Sequence, residues 1–312
     1  MTEPGRDPID RGICAGYEIR SSLSFQTLRT STGTTTSTPL YVEERPDLAV
    51  EGEPILTWRP RPGNPFHGRL LQAGDGFAFW TSDAGWYVID PALPSITVSP
   101  APIPLRREVR MFGVPASICS LARGDITIHA AAVEMAGGAV LLAGPSRYGK
   151  TTLAAALAQA GHRLLCEDST RCGTIDGPAV MPGPAVVRLR ADVAGSIDLP
   201  GRRVGIGDDG RVGVILDEGV RGDGNPVPLR AIIFLRSGQG PATLEPVRPA
   251  DAIRDILALT FQLPTSASRA AAFSRVADLA AGVVTFDLVR RIEADSTGDV
   301  IGLIERLAGT DA

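Results

Sequence analysis

The sequence predicts an α/β protein in two parts: a small β-rich (α+β) domain over residues 1–108, then a phosphate-loop domain with a mixed sheet over residues 109–312. Three observations carry this. The segment Gly144-Pro145-Ser146-Arg147-Tyr148-Gly149-Lys150-Thr151 matches the phosphate-binding pattern G-x-x-x-x-G-K-[ST] and lies between an apolar run and an Ala/Leu-rich stretch. Lys150 is the only lysine among 31 basic residues, which points to a position where arginine fails. A compact ammonium enters a glycine-built cradle that a broad planar guanidinium would strike. The chain also changes character partway along, from short Pro-punctuated apolar runs to longer segments of helical and strand periodicity.

Taken in order, the first part holds short runs such as Ala78-Phe79-Trp80 and Gly85-Trp86-Tyr87-Val88-Ile89 between turn signals, and a Ser/Thr-rich run over 31–38 that reads as a loop or arm. No catalytic constellation is visible there. Residues 111–123 read as helical and 125–133 as a strand, which Ala136-Gly137-Gly138 turns back antiparallel into the strand 139–143. After the loop, 151–160 is a helix that Gly161 stops, and His162 reads as a cap residue. The strand Arg163-Leu164-Leu165-Cys166 ends in Glu167-Asp168. Strands follow at 186–189, 212–216 and 231–235, helices at 250–261 and 268–281, a strand at 283–286 and a closing helix at 300–307. The Gly-, Asp- and Arg-rich stretch 201–228 reads either as a lid or acceptor-binding loop or as a surface excursion.

Composition excludes several classes of function. A net charge of −4 argues against a nucleic-acid surface, and the arginine pairs Arg106-Arg107 and Arg202-Arg203 read as solvated surface unless one lies near an anionic substrate. No basic-then-apolar leader opens the chain and no apolar run approaches ~20 residues, so a cytoplasmic protein with no membrane partner is expected. Cys14, Cys119, Cys166 and Cys172 have no C-x-x-C spacing, and with His67, His129 and His162 they compose no metal site. Reduced thiols are expected, with Cys166 packed as a small apolar residue.

The chemistry gathers around the loop. Between strand and helix, its N–H groups and the positive helix terminus face one spot, so Gly144, Pro145, Ser146, Arg147, Tyr148, Gly149, Lys150, Thr151 and Thr152 are the expected nucleotide-binding residues. Lys150 would contact the β- and γ-phosphates of ATP, and the Thr151 hydroxyl would hold Mg²⁺. By the rule for doubly wound sheets, acids that close the strand after the loop helix face those phosphates. Asp168 could then take the proton of an attacking hydroxyl, and Glu167 could help hold Mg²⁺ through water. Motor and switch NTPases place their metal-binding acid later in the chain. His129 lies on the strand beside the loop, where a structural and a catalytic role are both open. Arg147 either reaches phosphate or points to solvent.

In this order the His strand, Gly-Gly turn, loop, Gly161-His162-Arg163-Leu164-Leu165 and the acid pair resemble the catalytic domain of HPr kinase/phosphorylase. More closely, the chain resembles the HPr-kinase-like proteins of bacterial gene clusters, some of which phosphorylate a serine of a ribosomal peptide such as a lasso-peptide precursor. The resemblance covers roughly residues 109–290. It implies that Lys150 and Thr151 bind ATP and Mg²⁺, that Asp168 is the base, that His129 assists beside the phosphates, and that the chain forms a homo-oligomer. Three departures stand out: Arg147 replaces an inner glycine, Pro145 lies in the loop, and Glu167 replaces the first acid of an Asp-Asp pair. The segment that grips HPr is missing, so another peptide or small protein is the expected acceptor. The expected activity is transfer of the γ-phosphoryl group to a serine-type hydroxyl. A small-molecule hydroxyl kinase and a catalytically inactive nucleotide-binding scaffold are the alternatives.

Overall fold

The computed structural model describes residues 10–30, 37–60, 65–136, 138–205, 210–292 and 297–309. The start of the chain, most of the Ser/Thr run, Gly137 of the expected tight turn and residues 206–209 lie outside the described residues.

The first part folds as one mixed sheet of eight strands: β1 (Asp10–Cys14), β2 (Tyr17–Ser21), β3 (Thr38–Glu44), β4 (Pro54–Trp58), β5 (Gly68–Ala73), β6 (Gly76–Thr81), β7 (Gly85–Asp90) and β8 (Ser95–Val98). Their order is β1-β2-β3-β8-β7-β6-β5-β4, with β3 parallel to both neighbours and the other pairs antiparallel. Alternation decides the buried face: Tyr17 and Ile19 of β2, and Tyr87 and Ile89 of β7, point into the same core. Two helices close it, α1 (Pro104–Met111) and α2 (Val114–Ala122), which contribute Met111, Ala116, Ile118 and Cys119. The N-terminal core thus runs past residue 108. The helix expected over 111–123 is interrupted at Phe112-Gly113, because Pro115 lacks the N–H a continuous helix needs and its ring would crowd the preceding turn.

The second part begins with β9 (Ile126–Met135) and β10 (Gly138–Ala143), then α3 (Lys150–Gln159), β11 (Arg163–Cys166), β12 (Ser169–Thr174) and β13 (Pro178–Met181). A three-stranded antiparallel sheet follows, from β14 (Val186–Arg190), the short α4 (Ala191–Ala194), β15 (Gly201–Gly205) and β16 (Arg211–Leu216), in the order β14-β16-β15. After α5 (Glu218–Arg221) come β17 (Val227–Ser237), β18 (Thr243–Pro246), α6 (Pro249–Leu259), α7 (Ser266–Gly282), β19 (Val284–Arg290) and α8 (Thr297–Gly309).

The main sheet is mixed rather than doubly wound. Strands β10, β17 and β19 are parallel, whereas β9 runs antiparallel to β10, with Met135 opposite Gly138 and Ala130 opposite Ala143. Pairing continues from β9 through β12 and β13 to β17 and back to β10, closing a ring of strands. Both faces of β9 are covered, so the strand is apolar nearly throughout. Ile126, Ile128, Ala130 and Ala132 pack toward α6 and α7, and Ala131, Val133 and Met135 toward α3, α8 and the three-stranded sheet. Alanines on both sides let α3 lie close to the sheet, with Ala154 and Ala155 in the same core as Ala131.

The two parts are locked by a buried arginine. Arg29 is 1% exposed; its Nε donates to Gly183 O at 2.7 Å and its Nη2 to Leu164 O and Leu165 O at 3.0 and 2.9 Å. The segment that carries it is pinned by buried Glu108, which accepts from the N–H groups of Gln26 and Thr27 at 2.9 and 2.8 Å. The end of β11, just before the acid pair, therefore rests on the N-terminal half.

Candidate active site

Strand β10 delivers the chain into the phosphate loop, and α3 leaves it with Lys150 as its first residue. Gly149 is the helix N-cap at φ 82° and contributes no side-chain cap, so the first N–H groups of α3 are left for a ligand. The left-handed backbone favours glycine there, and a Cβ would stand 2.6 Å from Arg290 Nη2, so the guanidinium would have to shift to admit one. Arg147 is also left-handed, at φ 72°, where a non-glycine residue is strained. Pro145, Ser146 and Arg147 are exposed, and Tyr148, Gly149, Thr151 and Thr152 are half-buried. Arg290, at the end of β19, donates to Tyr148 O at 3.2 Å and braces the loop from below.

Lys150 is only 6% exposed. Its ammonium donates to Gly144 O at 2.7 Å and Pro145 O at 3.1 Å and lies 3.0 Å from His129 Nε2. Burial lowers its pKa, and the charges of Asp168 and Glu167 work the other way.

The acid pair occupies a gap in a ladder. Both β11 and β12 pair with the same edge of β9, Cys166 opposite Ala132 and Ser169 opposite His129, so the register is the same on either side of Glu167-Asp168. The two acids leave the strand without shifting it, and Asp168 swings to His129 with Oδ1 3.0 Å from Nδ1. The ring of His129 thus bridges the two groups, with Nε2 facing the Lys150 ammonium and Nδ1 facing Asp168.

Arg188 of β14 clamps both acids, with Nε 2.9 Å from Glu167 Oε2 and Nη2 3.0 Å from Asp168 Oδ2. Arg211 of β16 stands 3.8 Å from Glu167 Oε1, and Thr151 Oγ1 donates to that oxygen at 3.4 Å. The acids differ in environment. Glu167 is 6% exposed, and burial raises its pKa against the pull of Arg188. The Asp168 side chain is 42% exposed. Burial also works to raise its pKa, but the hydrogen bond from His129 and the charge of Arg188 outweigh it and hold the carboxyl well below the usual range.

The structure thus brings Lys150, Thr151, His129, Glu167 and Asp168 together at the mouth of the loop. His162 stands apart, bonded through its backbone to Leu157 O and through its ring to Glu305 at 3.0 Å. Sequence reasoning missed Arg188, Arg211 and Arg290, since one arginine among so many carries no signal. Among the described residues no group of three or more His, Cys, Asp or Glu side chains could hold a metal alone, and no helix is long and apolar enough to cross a membrane. The pair Thr151 and Glu167 fits an Mg²⁺ that takes its remaining ligands from phosphate and water. The uncapped α3 terminus and Lys150 fit the phosphates themselves.

Among solved structures the chain matches the HPr(Ser) kinase/phosphatase from Coxiella burnetii at 14% sequence identity and a TM-score of 0.29, over 58% of this chain and 87% of that one. No protein-family model and no curated protein matches the chain.

Proposed function

We propose that this chain is an ATP-dependent phosphotransferase that places a phosphoryl group on a serine-type hydroxyl of a peptide or small protein. One observation carries the reading: His129 and Arg188 join the loop lysine to the acid pair, whose Glu167 also meets Thr151, in a single network at the loop mouth. When bound, Mg-ATP supplies the γ-phosphoryl group and neutralises charge that builds in a loose, in-line transfer. Lys150 and the N–H groups of α3 bind the phosphate oxygens, and Thr151 and Glu167 serve the metal side. Asp168, half-exposed, receives the acceptor hydroxyl. As the acceptor oxygen bonds to phosphorus and the bond to ADP breaks, the hydroxyl proton passes to Asp168. The carboxylate acts mainly by orienting the hydroxyl, and in a loose transfer the proton moves late. His129 fixes Oδ1 and Arg188 fixes Oδ2, so the carboxylate is held in one orientation with a further lone pair on each oxygen for the acceptor.

Replacing Asp168 by asparagine keeps the shape and removes the proton acceptor. In Asp168→Asn, ATP binding followed by calorimetry is expected to stay near the parent value while phosphopeptide formation, read as a mass shift, falls at least ~100-fold. Transfer that survives the substitution removes Asp168 from this role. An inactive scaffold would instead bind ATP and release no ADP with any acceptor present.

A further inference from the structure

A cavity of about 230 Å³ opens beside the acid pair. Its walls come from both halves of the chain: Trp58 and Phe66 from the N-terminal sheet, Phe112 from the α1–α2 junction, and Asp168, Ser169 and Arg188 from the loop domain. The apolar end is built from ring contacts. Trp58 meets Phe79 edge-on at 5.4 Å between ring centroids, and the Arg110 guanidinium, itself paired with Asp83, covers the Phe66 ring at 4.2 Å. The polar end is the carboxylate that receives the hydroxyl in the reading above. One wall is thus greasy, and the opposite wall carries the chemistry.

The volume limits what can enter. A pocket for a whole drug-sized metabolite spans roughly 300–1,000 Å³. This cavity is smaller and suits one bulky side chain. We infer that it is the acceptor subsite, which takes an aromatic or large aliphatic side chain next to the serine-type residue of a peptide and so seats the neighbouring hydroxyl at Asp168. The N-terminal half is then the part that reads the acceptor, through Trp58 and Phe66. This inference rests on the phosphotransferase reading, and the test separates the two.

The full chain is given Mg-ATP and synthetic Ala/Gly peptides with one serine, in which a Phe or Leu is moved through the positions on either side of it. At one flanking position kcat/KM is expected to exceed that of the all-Ala neighbour peptide at least about tenfold, the worth of burying such a side chain, with the gain mostly in KM. Trp58→Ala and, independently, Phe66→Leu are expected to shrink that ratio at least about threefold, and Trp58→Phe to preserve most of it. A ratio near one at every position overturns the inference and leaves the phosphotransferase reading intact. So does a preference indifferent to both cavity variants. Transfer to small aromatic alcohols but to no peptide also overturns it, since the cavity would then hold a small-molecule acceptor. No acceptor-dependent ADP release with either class removes both readings together.

Discussion

Arg188 is expected to hold the site together, and Arg188→Met measures how much. Its guanidinium is 11% exposed and satisfies Glu167, itself 6% exposed, so the methionine variant leaves a nearly buried carboxylate without its main partner. Breaking a buried pair from one side costs about 3–5 kcal/mol; Arg211, 3.8 Å from the other Glu167 oxygen, remains to offset part of it, which sets the figure near the lower bound. At about 2–4 °C per kcal/mol for chains of this size, the thermal midpoint falls by roughly 6–12 °C. The loss depends on pH in a definite direction. Burial already raises the Glu167 pKa, and Arg188 is the largest opposing influence, so the substitution raises it further. A carboxyl whose folded-state pKa is raised favours folding when protonated and loses that contribution as pH rises through the folded value. Asp168 keeps its hydrogen bond from His129 in the variant but loses the charge of Arg188, so its carboxyl moves up as well, in the same direction as Glu167. The deficit of Arg188→Met relative to the parent therefore widens as pH rises above the ordinary carboxyl range, which scanning calorimetry at several pH values would read. A deficit that is flat with pH, or a midpoint lowered by less than about 2 °C, refutes this account of the clamp.

Three further outcomes are expected. Lys150→Met should abolish transfer by at least ~100-fold without lowering the thermal midpoint, because burial already disfavours the ammonium; a less stable variant would show that its hydrogen bonds to Gly144 and Pro145 outweigh that penalty. Gly149→Ala combines a left-handed φ of 82° with a 2.6 Å approach to Arg290 Nη2, so a loss of about 1–2 kcal/mol and weaker ATP binding by calorimetry are expected; unchanged affinity would detach the loop's shape from nucleotide binding. Arg29→Met strips the carbonyl groups of Gly183, Leu164 and Leu165 of a buried donor, and about 3 kcal/mol should be lost with faster amide exchange around β11; unaltered exchange would mean that the N-terminal segment does not support the acid pair.

Elements buried on both sides were legible in the sequence, and elements created by pairing were not. The segments of β9, β10 and α3 announce themselves through long apolar runs, alanine-rich spacing and glycines at the turns. By contrast Ser169–Thr174 has no apolar run and receives no element from the sequence; it is a strand because β9 and β13 flank it and pair with it. The break at Phe112-Gly113 was signalled by Pro115, a cue easily lost inside an apolar helical pattern. At the site, pattern and spacing marked Lys150, Thr151 and the acids, whereas the bridge by His129 and the clamp by Arg188 arise from tertiary placement. Arg188 and Arg190 stand two residues apart on the same face of β14, so alternation does not distinguish them; tertiary placement gives Arg188 to the acids and leaves Arg190 to Asp192 on the surface.

The gap in the β9 ladder lets Glu167 and Asp168 leave the sheet without loosening it. An irregularity between Leu164 and Cys166 shifts β11 by one residue, after which Cys166 and Ser169 flank the gap in one register, so the backbone on both sides of the two acids remains anchored. On one side the anchor is Arg29, which ties the carbonyl groups of Leu164 and Leu165 to the N-terminal half; on the other it is the pairing of Ser169 with His129, the residue that orients Asp168. The N-terminal half therefore meets the acid pair twice, once through its backbone support and once through the aromatic wall of the cavity. An acceptor that presses on Trp58 and Phe66 also presses on the body that holds Asp168 in place, which gives the chain a physical route for an acceptor's side chain to affect how its hydroxyl is aligned.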